Sequence, residues 1–158
     1  LLLHQVQERR GHRVPAQLQH KSLSNKEIMN TEPFALSEHF VWDEFHPDDW
    51  NAEVDEEIDQ SIVNLCENIR SAWGEPVTVT SGVRTKATND KLVTEGKASP
   101  NSSHLKGLAC DIYCTRSDLR WKAINSLLAH GVTRIGIAKN FIHFDIDKDK
   151  VQHVIWTY

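Results

Sequence analysis

The order of hydrophobic patterns predicts an α+β fold, in which a small, mostly antiparallel sheet is flanked by helices. Two observations lead to this prediction. A long amphipathic helix precedes the first strand, and three closely spaced β-rich segments follow a later helix. The chain has 158 residues, of which 39% are apolar and 25% are charged, so it suits one globular domain with its own core.

The first 30 residues lack a regular hydrophobic repeat and are rich in polar and basic side chains. We expect residues 1–30 to form a flexible or peripheral N-terminal arm, with a frayed helix around Pro15 to His20 as an open alternative. The folded domain is therefore predicted at residues 34–158.

Charge and hydropathy argue against several kinds of partner. The formal net charge of -4 argues against a nucleic-acid partner, which would favour a basic face. No run of about 18 apolar residues is present, so no membrane span is expected. The three leucines at the start are too few for the apolar part of a signal peptide. No signal peptide is visible in this chain. We expect a monomer.

The three cysteines are Cys66, Cys110 and Cys114. Cys110 and Cys114 fall in one predicted strand, about 13 Å apart at the usual rise per residue, which is too far for a disulfide. We expect free, mostly buried thiols, with a Cys-x3-Cys metal pair as the lesser alternative.

The clearest element is an amphipathic helix predicted from Val54 to Trp73. Its apolar residues recur at three- and four-residue steps and form one stripe: Val54, Ile58, Ile62, Leu65, Ile69 and Trp73. Acidic residues crowd its start, where the helix dipole favours them, and Gly74 ends it. A helical turn capped by Ser37 is predicted upstream, over residues 36–40.

Five strands are predicted from β-branched and alternating segments, at residues 77–80, 108–113, 132–137, 141–146 and 151–158. The third and fourth form a hairpin, and the last three form a β-meander. A short helix and a polar loop fill residues 85–100. A further helix begins at a Ser117 cap and ends at His130, which we expect to cap its C-terminus.

Strand alternation places potential metal-binding side chains on one face of the sheet. From Phe141 onward, Ile142 and Phe144 fall on one face, while His143 and Asp145 fall on the other. The apolar face must pack on the core. A histidine and an aspartate are therefore held side by side on the opposite face of a stiff support.

A second histidine and carboxylate lie in and before the strand at residues 108–113. Asp111 stands in an apolar strand, where burial is costly unless the group is paired or binds a metal. His104 lies in the loop that enters this strand, and Gly107 permits an unusual backbone angle. His104, Asp111 and His143 make a plausible three-ligand zinc site with an open fourth position. A buried ion pair of Asp111 and His143 without metal is the alternative.

These residues resemble the zinc D-Ala-D-Ala carboxypeptidase family, the M15 peptidases, over roughly Phe34 to Trp156. The motifs are Ser102-x-His104-x-x-Gly107-x-Ala109-x-Asp111, Ser81-Gly82-x-Arg84, and Phe141-Ile142-His143-Phe144-Asp145. The resemblance is strongest to the branch found in phage lysins and bacterial cell-wall enzymes. It implies the fold shared with the hedgehog signalling domain.

The resemblance also implies roles for individual residues. His104, Asp111 and His143 match the zinc ligands, for one Zn²⁺ ion. Arg84 matches an arginine that binds a substrate carboxylate or stabilises the oxyanion. Ser102 matches a serine that supports the site or contacts substrate.

The general base departs from the family pattern. Several branches carry an acid three residues before the last ligand, where this chain has Asn140. Asp145 is the remaining nearby carboxylate. We expect it to act either as the catalytic base or as the group that orients a ligand histidine.

The resemblance implies a zinc metallopeptidase that hydrolyses peptidoglycan stem peptides or cross-links, as a carboxypeptidase or an endopeptidase. Such an enzyme acts at the cell wall, either in the periplasm or outside the cell, or as a phage protein released from the cytoplasm. The alternative is a zinc-containing cell-wall-binding module with weak or no catalysis.

Overall fold

The computed structural model describes residues 33–158, so the predictions for residues 1–30 lie outside the described part. The described residues form an α+β domain, which confirms the predicted fold class. Its helices are α1 (Gln60–Trp73), α2 (Lys86–Thr94) and α3 (Ser117–Ala129). Its strands are β1 (Val79–Ser81), β2 (Ala109–Tyr113), β3 (Arg134–Ile137), β4 (Phe141–Asp145) and β5 (Val154–Thr157). Short 3-10 helices span Trp42–Glu44 and Ser103–Lys106.

The five strands form one sheet in the order β1-β2-β4-β3-β5. The β3–β4 hairpin is confirmed, and the pairs β1–β2 and β2–β4 are also antiparallel. The predicted β-meander is wrong, because β5 pairs in parallel with β3. Both edges of β4 are already occupied, by β2 and β3. Strand β5 instead adds to the free edge of β3.

Helix α1 begins six residues later than the hydrophobic stripe suggested. Asp59 is its N-cap and accepts a hydrogen bond from Ser61 N at 2.7 Å, whereas Val54 is 78% exposed. The backbone N–H of Ile58 donates to His46, and that of Asp59 donates to the Gly107 carbonyl. These residues are thus held by tertiary contacts outside the helix. The predicted end is confirmed, since Gly74 caps α1 in the left-handed conformation at φ 74°.

Other boundaries moved by smaller amounts. The predicted turn at residues 36–40 is a bend closed by an Ala35–Val41 bridge rather than a helix, so Ser37 caps nothing there. Strand β1 begins at Val79, two residues later than the strand predicted from residue 77. Arg116 takes the N-cap position of α3 without a side-chain bond, and Ser117 is the first helical residue. His130 does cap this helix, with Nδ1 2.8 Å from the Ser126 carbonyl.

The two faces of the sheet differ completely. One face joins α1 and α3 in a single buried cluster that includes Ile62, Leu127, Ile135, Ile142 and Phe144. Each such side chain contributes about 1.5–3 kcal/mol on burial. The opposite face carries polar side chains on the central strands. Because alternate residues of these strands pack into the apolar cluster, the residues between them point toward the candidate site.

All three cysteines are free and buried, as predicted. Cys66 on α1 and Cys110 on β2 belong to the apolar cluster, with their Sγ atoms 3.8 Å apart. Within residues 33–158, no helix is long and apolar enough to cross a membrane.

Candidate metal centre

Three predicted ligands converge on the polar face of the sheet. His104 Nε2 lies 3.3 Å from His143 Nδ1 and 3.3 Å from Asp111 Oδ1. His143 Nδ1 lies 2.7 Å from the same Asp111 oxygen. Both histidines are buried, and the Asp111 side chain is 13% exposed.

Sheet register places Asp111 beside His143. The two residues are directly opposite in the antiparallel β2–β4 pair, and both point away from the apolar cluster. Side chains of directly opposite residues have Cβ atoms about 5 Å apart, within reach of one ion. The Asp111–His143 pair therefore follows from strand register alone.

His104 reaches the same point from a tight turn. It lies in the 3-10 helix Ser103–Lys106, whose N-cap Ser102 accepts a hydrogen bond from His104 N at 3.4 Å. Gly107 ends this helix at φ 65°, and a Cβ there would lie 1.9 Å from the Glu57 carbonyl oxygen. Glycine is thus required both for the backbone angle and for the close packing that holds His104 in place.

The loop after β1 fixes the ring orientation of His104. His104 Nδ1 lies 2.6 Å from the Gly82 carbonyl, which only accepts, so Nδ1 carries the proton. Nε2 is then directed at the other two candidate ligands. Arg84 N donates to the His104 carbonyl at 3.1 Å, so loop and turn are bonded in both directions.

His143 is oriented by the same kind of bond on its other nitrogen. Its Nε2 lies 3.2 Å from Asp145 Oδ2, on the opposite side of the ring from Asp111. The second oxygen of Asp145 accepts from Arg134 Nε at 2.8 Å and from Asp147 N at 3.2 Å. Both oxygens of Asp145 are therefore engaged, and its side chain is 1% exposed.

Arg84 stands beside the three candidate ligands. Its guanidinium donates to Ser81 Oγ at 3.2 Å, to Asn89 Oδ1 at 3.3 Å and to Ser102 Oγ at 3.5 Å. One terminal nitrogen lies 3.9 Å from Asp111 Oδ2. These buried and half-buried polar groups hold the Arg84 guanidinium next to the three candidate ligands.

The ligand atoms fit a small cation of tetrahedral preference. In a zinc site with bonds of about 2.0–2.1 Å, two ligand atoms lie about 3.3 Å apart. Two of the three separations here already have this value, and the donor set of two imidazoles and a carboxylate is typical of zinc. The three residues are the group within residues 33–158 whose His, Cys or acid atoms could hold a metal ion.

The electrostatics keep Asp111 available as a ligand. Burial alone would raise the pKa of Asp111, but hydrogen bonds from His104 and His143 outweigh it and hold that pKa well below its usual range. Burial would also raise the pKa of Asp145, but hydrogen bonds with His143 and Arg134 outweigh it and lower that pKa. Both carboxylates are therefore ionised at neutral pH.

A cavity of about 260 Å³ opens over the cluster. Its lining includes the candidate ligands, Arg84 and Ser102, two lysines, and three aromatic residues: Phe141, Trp156 and Tyr158. Partial burial and the charge of Asp111 raise the pKa of the Tyr158 phenol, which stays protonated at neutral pH. A larger groove of about 530 Å³ lies near Glu38 and Gly74, and no predicted site residue lines it.

Several residues around the site were not foreseen from the sequence: Asn89, Arg134, Trp156 and Tyr158. A signal existed for three of them, because Arg134 alternates with buried Ile135 along β3, and Trp156 in β5 and Tyr158 just after it are two residues apart. Asn89 lies inside α2 and had no such signal.

Comparison with protein families supports the same part of the chain. The sequence profile of the family described as peptidase M15 matches residues 38–145, which include Arg84, Ser102 and all three candidate ligands. No curated protein matches the chain. The match spans more than half of the chain and covers α1, the 3-10 turn and the strands that carry the cluster, so this chain belongs to the peptidase M15 family.

Proposed function

We propose that this peptidase-family chain is a zinc enzyme that hydrolyses peptide bonds in peptidoglycan, in stem peptides or in cross-links, as a carboxypeptidase or an endopeptidase. The observation that carries the proposal is the convergence of His104, Asp111 and His143, each held by its own partner, at the floor of a cavity. The family match supports a peptide substrate. Such a substrate places the enzyme's action at the cell wall.

The ligand set would hold one zinc ion through His104 Nε2, His143 Nδ1 and an oxygen of Asp111. Zinc bound there supplies Lewis acidity, which polarises a peptide carbonyl and makes a water a better nucleophile. The chain's own contribution is to fix the ligands. Gly82 and Asp145 accept from the outer nitrogens of the two histidines, so the inner nitrogens, which face Asp111, are the ones that would give up their protons to bind zinc.

Arg84 is proposed to bind a substrate carboxylate or to stabilise the negative charge that develops on the carbonyl oxygen. A guanidinium suits both tasks because it remains charged and donates along two parallel directions. Ser102 and Asn89 hold it in place, so Ser102 contributes by positioning Arg84 and the His104 turn. This geometry puts the cation at the edge of the cluster before substrate arrives.

Of the two roles expected for Asp145, the geometry favours orienting His143. A general base must reach the proton that it abstracts and works best with a pKa near the operating pH. Asp145 instead faces the outer nitrogen of His143, is tied to Arg134, and has a lowered pKa. Asn140, at the position where other branches carry an acid, is exposed and cannot accept a proton.

A specific observation favours the second candidate, a zinc-containing cell-wall-binding module with weak or no catalysis. Asp111 and Asp145 are the acids that line the cavity within the described residues, and both are engaged by other side chains. A binding module needs the ligand set and Arg84 but no free carboxylate.

Hydrolysis of purified peptidoglycan separates the two candidates. The zinc-loaded protein is incubated with sacculi, with and without a chelator, and the soluble products are identified by mass spectrometry. If the protein is a zinc enzyme, new peptide ends should form, their formation should stop with chelator, and added zinc should restore it. Chelator-insensitive release would contradict a zinc enzyme, and binding to sacculi without any new peptide end would favour the module.

Matched variants make the same experiment specific for the site. His143→Asn removes a candidate ligand, whereas His153→Asn changes an exposed histidine outside the cavity. Only the first should abolish zinc binding and product formation. Equal loss in both variants would mean that the His143 effect is not local.

A further inference from the structure

A row of residues crosses the sheet through the candidate metal site and continues beyond it. Register pairs Asp111 with His143, His143 with Gly136, and Gly136 with Trp156, across four neighbouring strands. The first two carry ligand atoms, the third has no side chain, and the fourth is an indole. The row thus has a gap directly beside the ligand His143.

The C-terminal aromatic residues fill this gap. A Cβ at Gly136 would lie 2.8 Å from ring atoms of both Trp156 and Tyr158. Neighbouring strands lie about 4.8 Å apart, so residues two strands away do not normally touch. Yet the rings of Trp156 and His143 have centroids 5.5 Å apart, because the indole leans across Gly136.

Two further contacts continue this surface. The Tyr158 ring lies 5.2 Å from that of Phe141 on β4 and 6.3 Å from that of Trp156. The Arg134 guanidinium, which holds Asp145, lies 5.3 Å from the Trp156 ring. We call Phe141, Trp156 and Tyr158 the aromatic wall; all three line the cavity, with Arg84 and Ser102 in the same lining.

The wall exceeds what packing requires. The apolar cluster of the domain lies on the other face of the sheet, and none of the three residues belongs to it. Tyr158 remains exposed beside the ligands, and β5 is an edge strand of the described sheet. The cavity of about 260 Å³ is smaller than the about 300–1,000 Å³ usual for drug-sized ligands, so it would hold only the part of a peptide that lies nearest the candidate ligands, against this aromatic surface.

We propose that Trp156 and Tyr158 are substrate-binding residues, and that they press the peptide around the scissile bond against the metal centre. The indole packs on the peptide backbone and on small side chains, and the Tyr158 hydroxyl donates to a backbone carbonyl. Gly136 is a positioning residue that gives the two rings room. This inference rests on the peptidase function proposed above, and it assigns the strand β5, outside the matched residues 38–145, to substrate recognition.

The test compares zinc-loaded wild type with Tyr158→Phe, Trp156→Leu, Trp156→Phe and Gly136→Ala. Initial rates on soluble muropeptides give KM and kcat, and calorimetry on the same muropeptides gives Kd. Tyr158→Phe should raise KM and Kd about three- to tenfold, as expected for one lost hydrogen bond. Trp156→Leu and Gly136→Ala should raise both by about tenfold or more, and Trp156→Phe should restore most of the affinity.

Matched controls lie elsewhere on the chain. Tyr113→Phe changes an exposed tyrosine on the same face of the sheet, and Trp121→Leu changes an exposed tryptophan on α3. Neither residue lines the cavity, so KM and Kd should stay within twofold of wild type, about 0.4 kcal/mol. If Trp156→Leu does not fold, Tyr158→Phe and Gly136→Ala decide the question, because both are expected to raise KM and Kd.

The outcomes separate this inference from the proposed function. Normal cleavage with unchanged KM and Kd in the wall variants overturns the proposal that the aromatic wall binds substrate, but it does not contradict the proposed peptidase function. A fall in kcat or zinc content alone also overturns it, because the aromatics would then only support the metal site. Muropeptide binding that depends on the wall, without cleavage by wild type, supports the wall and overturns the enzyme. Neither binding nor cleavage by wild type overturns both.

Discussion

At the scale of single residues, the candidate site depends on which nitrogen each histidine presents. His104 donates from Nδ1 to the Gly82 carbonyl, and His143 faces Asp145 with Nε2. The two rings therefore direct opposite types of nitrogen, Nε2 and Nδ1, at the same point. Fixing the ring orientations in this way removes the cost of reorienting the two imidazoles when a metal binds.

Replacement of Asp145 distinguishes an orienting residue from a general base. Asp145→Ala should weaken zinc binding about 10- to 100-fold, because His143 loses the partner that holds its ring. Asp145→Asn keeps an acceptor and should bind zinc more tightly than Asp145→Ala. Competition with a chromogenic chelator measures both affinities. A base role would instead leave zinc affinity unchanged and abolish turnover in both variants.

At the scale of elements, the turn that carries His104 is anchored to the segment before α1. Asp59 N donates to the Gly107 carbonyl, and Gly107 approaches the Glu57 carbonyl too closely for any side chain. Ile58 N donates to His46 in the same segment. The residues just before α1 are thus held by contacts with the turn that carries the candidate ligand His104, and the helix begins after them.

Gly107→Ala should lower the free energy of unfolding by about 2 kcal/mol or more, since it adds the left-handed backbone cost to a clash with Glu57. Gly96→Ala is the matched control, with φ 70° and no atom within 4 Å of its Cβ. It should lose only the backbone cost, about 1–2 kcal/mol. Urea unfolding of both variants gives the difference, and equal losses would contradict the close packing at Gly107.

His46 provides the pH dependence of the same region. It stacks on Trp42 with ring centroids 3.9 Å apart, its Nδ1 lies 3.0 Å from the Trp42 carbonyl, and its Nε2 accepts from Ile58 N. Burial lowers the pKa of His46 below its usual value. The unfolded chain therefore binds a proton more readily than the folded chain, and His46 should reduce stability as pH falls below about 6.5.

The measurement is the free energy of unfolding between pH 8 and pH 5 for wild type and His46→Gln. The difference between the two curves isolates His46 from the other titrating groups. Wild type should lose more stability on acidification than the variant. Parallel curves would mean that His46 does not titrate differently in the folded and unfolded states.

At the scale of the whole molecule, the candidate ligands join three separate segments of the chain: the 3-10 turn, β2 and β4. A metal bound by all three ties these segments together, and it binds the folded chain in preference to the unfolded one. Ligand binding of this kind adds stability by mass action, about 2.7 kcal/mol at 100 times Kd. Metal binding at these residues would therefore couple the site energetically to the fold.

Zinc should raise the Tm of the metal-free protein, and a chelator should reverse the shift. For a domain of this size about 1 kcal/mol corresponds to about 2–4 °C or slightly more, so a shift of about 5–10 °C is expected at saturating zinc. Differential scanning calorimetry of wild type and His104→Asn makes the comparison. A zinc-dependent shift that persists in the variant would place the metal elsewhere.

Much of this arrangement could be predicted from local pattern. Period-two alternation put His143 and Asp145 opposite Ile142 and Phe144, and an acid inside an apolar strand marked Asp111, because burying a charge is costly without a partner. The fold class followed from the order of helix and strand patterns. Chain order also predicted the β3–β4 hairpin, since adjacent strands with a short connection pair with each other.

What only the tertiary structure decided depends on contacts between residues far apart in the chain. Pairing of β5 with β3 carried Trp156 and Tyr158 to the cavity across Gly136. The start of α1 followed from the packing of residues 57–59 on His46 and Gly107. The bond that engages the second oxygen of Asp145 comes from Arg134 on the neighbouring strand. Hydrophobic period reports which face of an element is buried, but strand order, register and partner choice depend on the free energy of the whole assembly, which no local window contains.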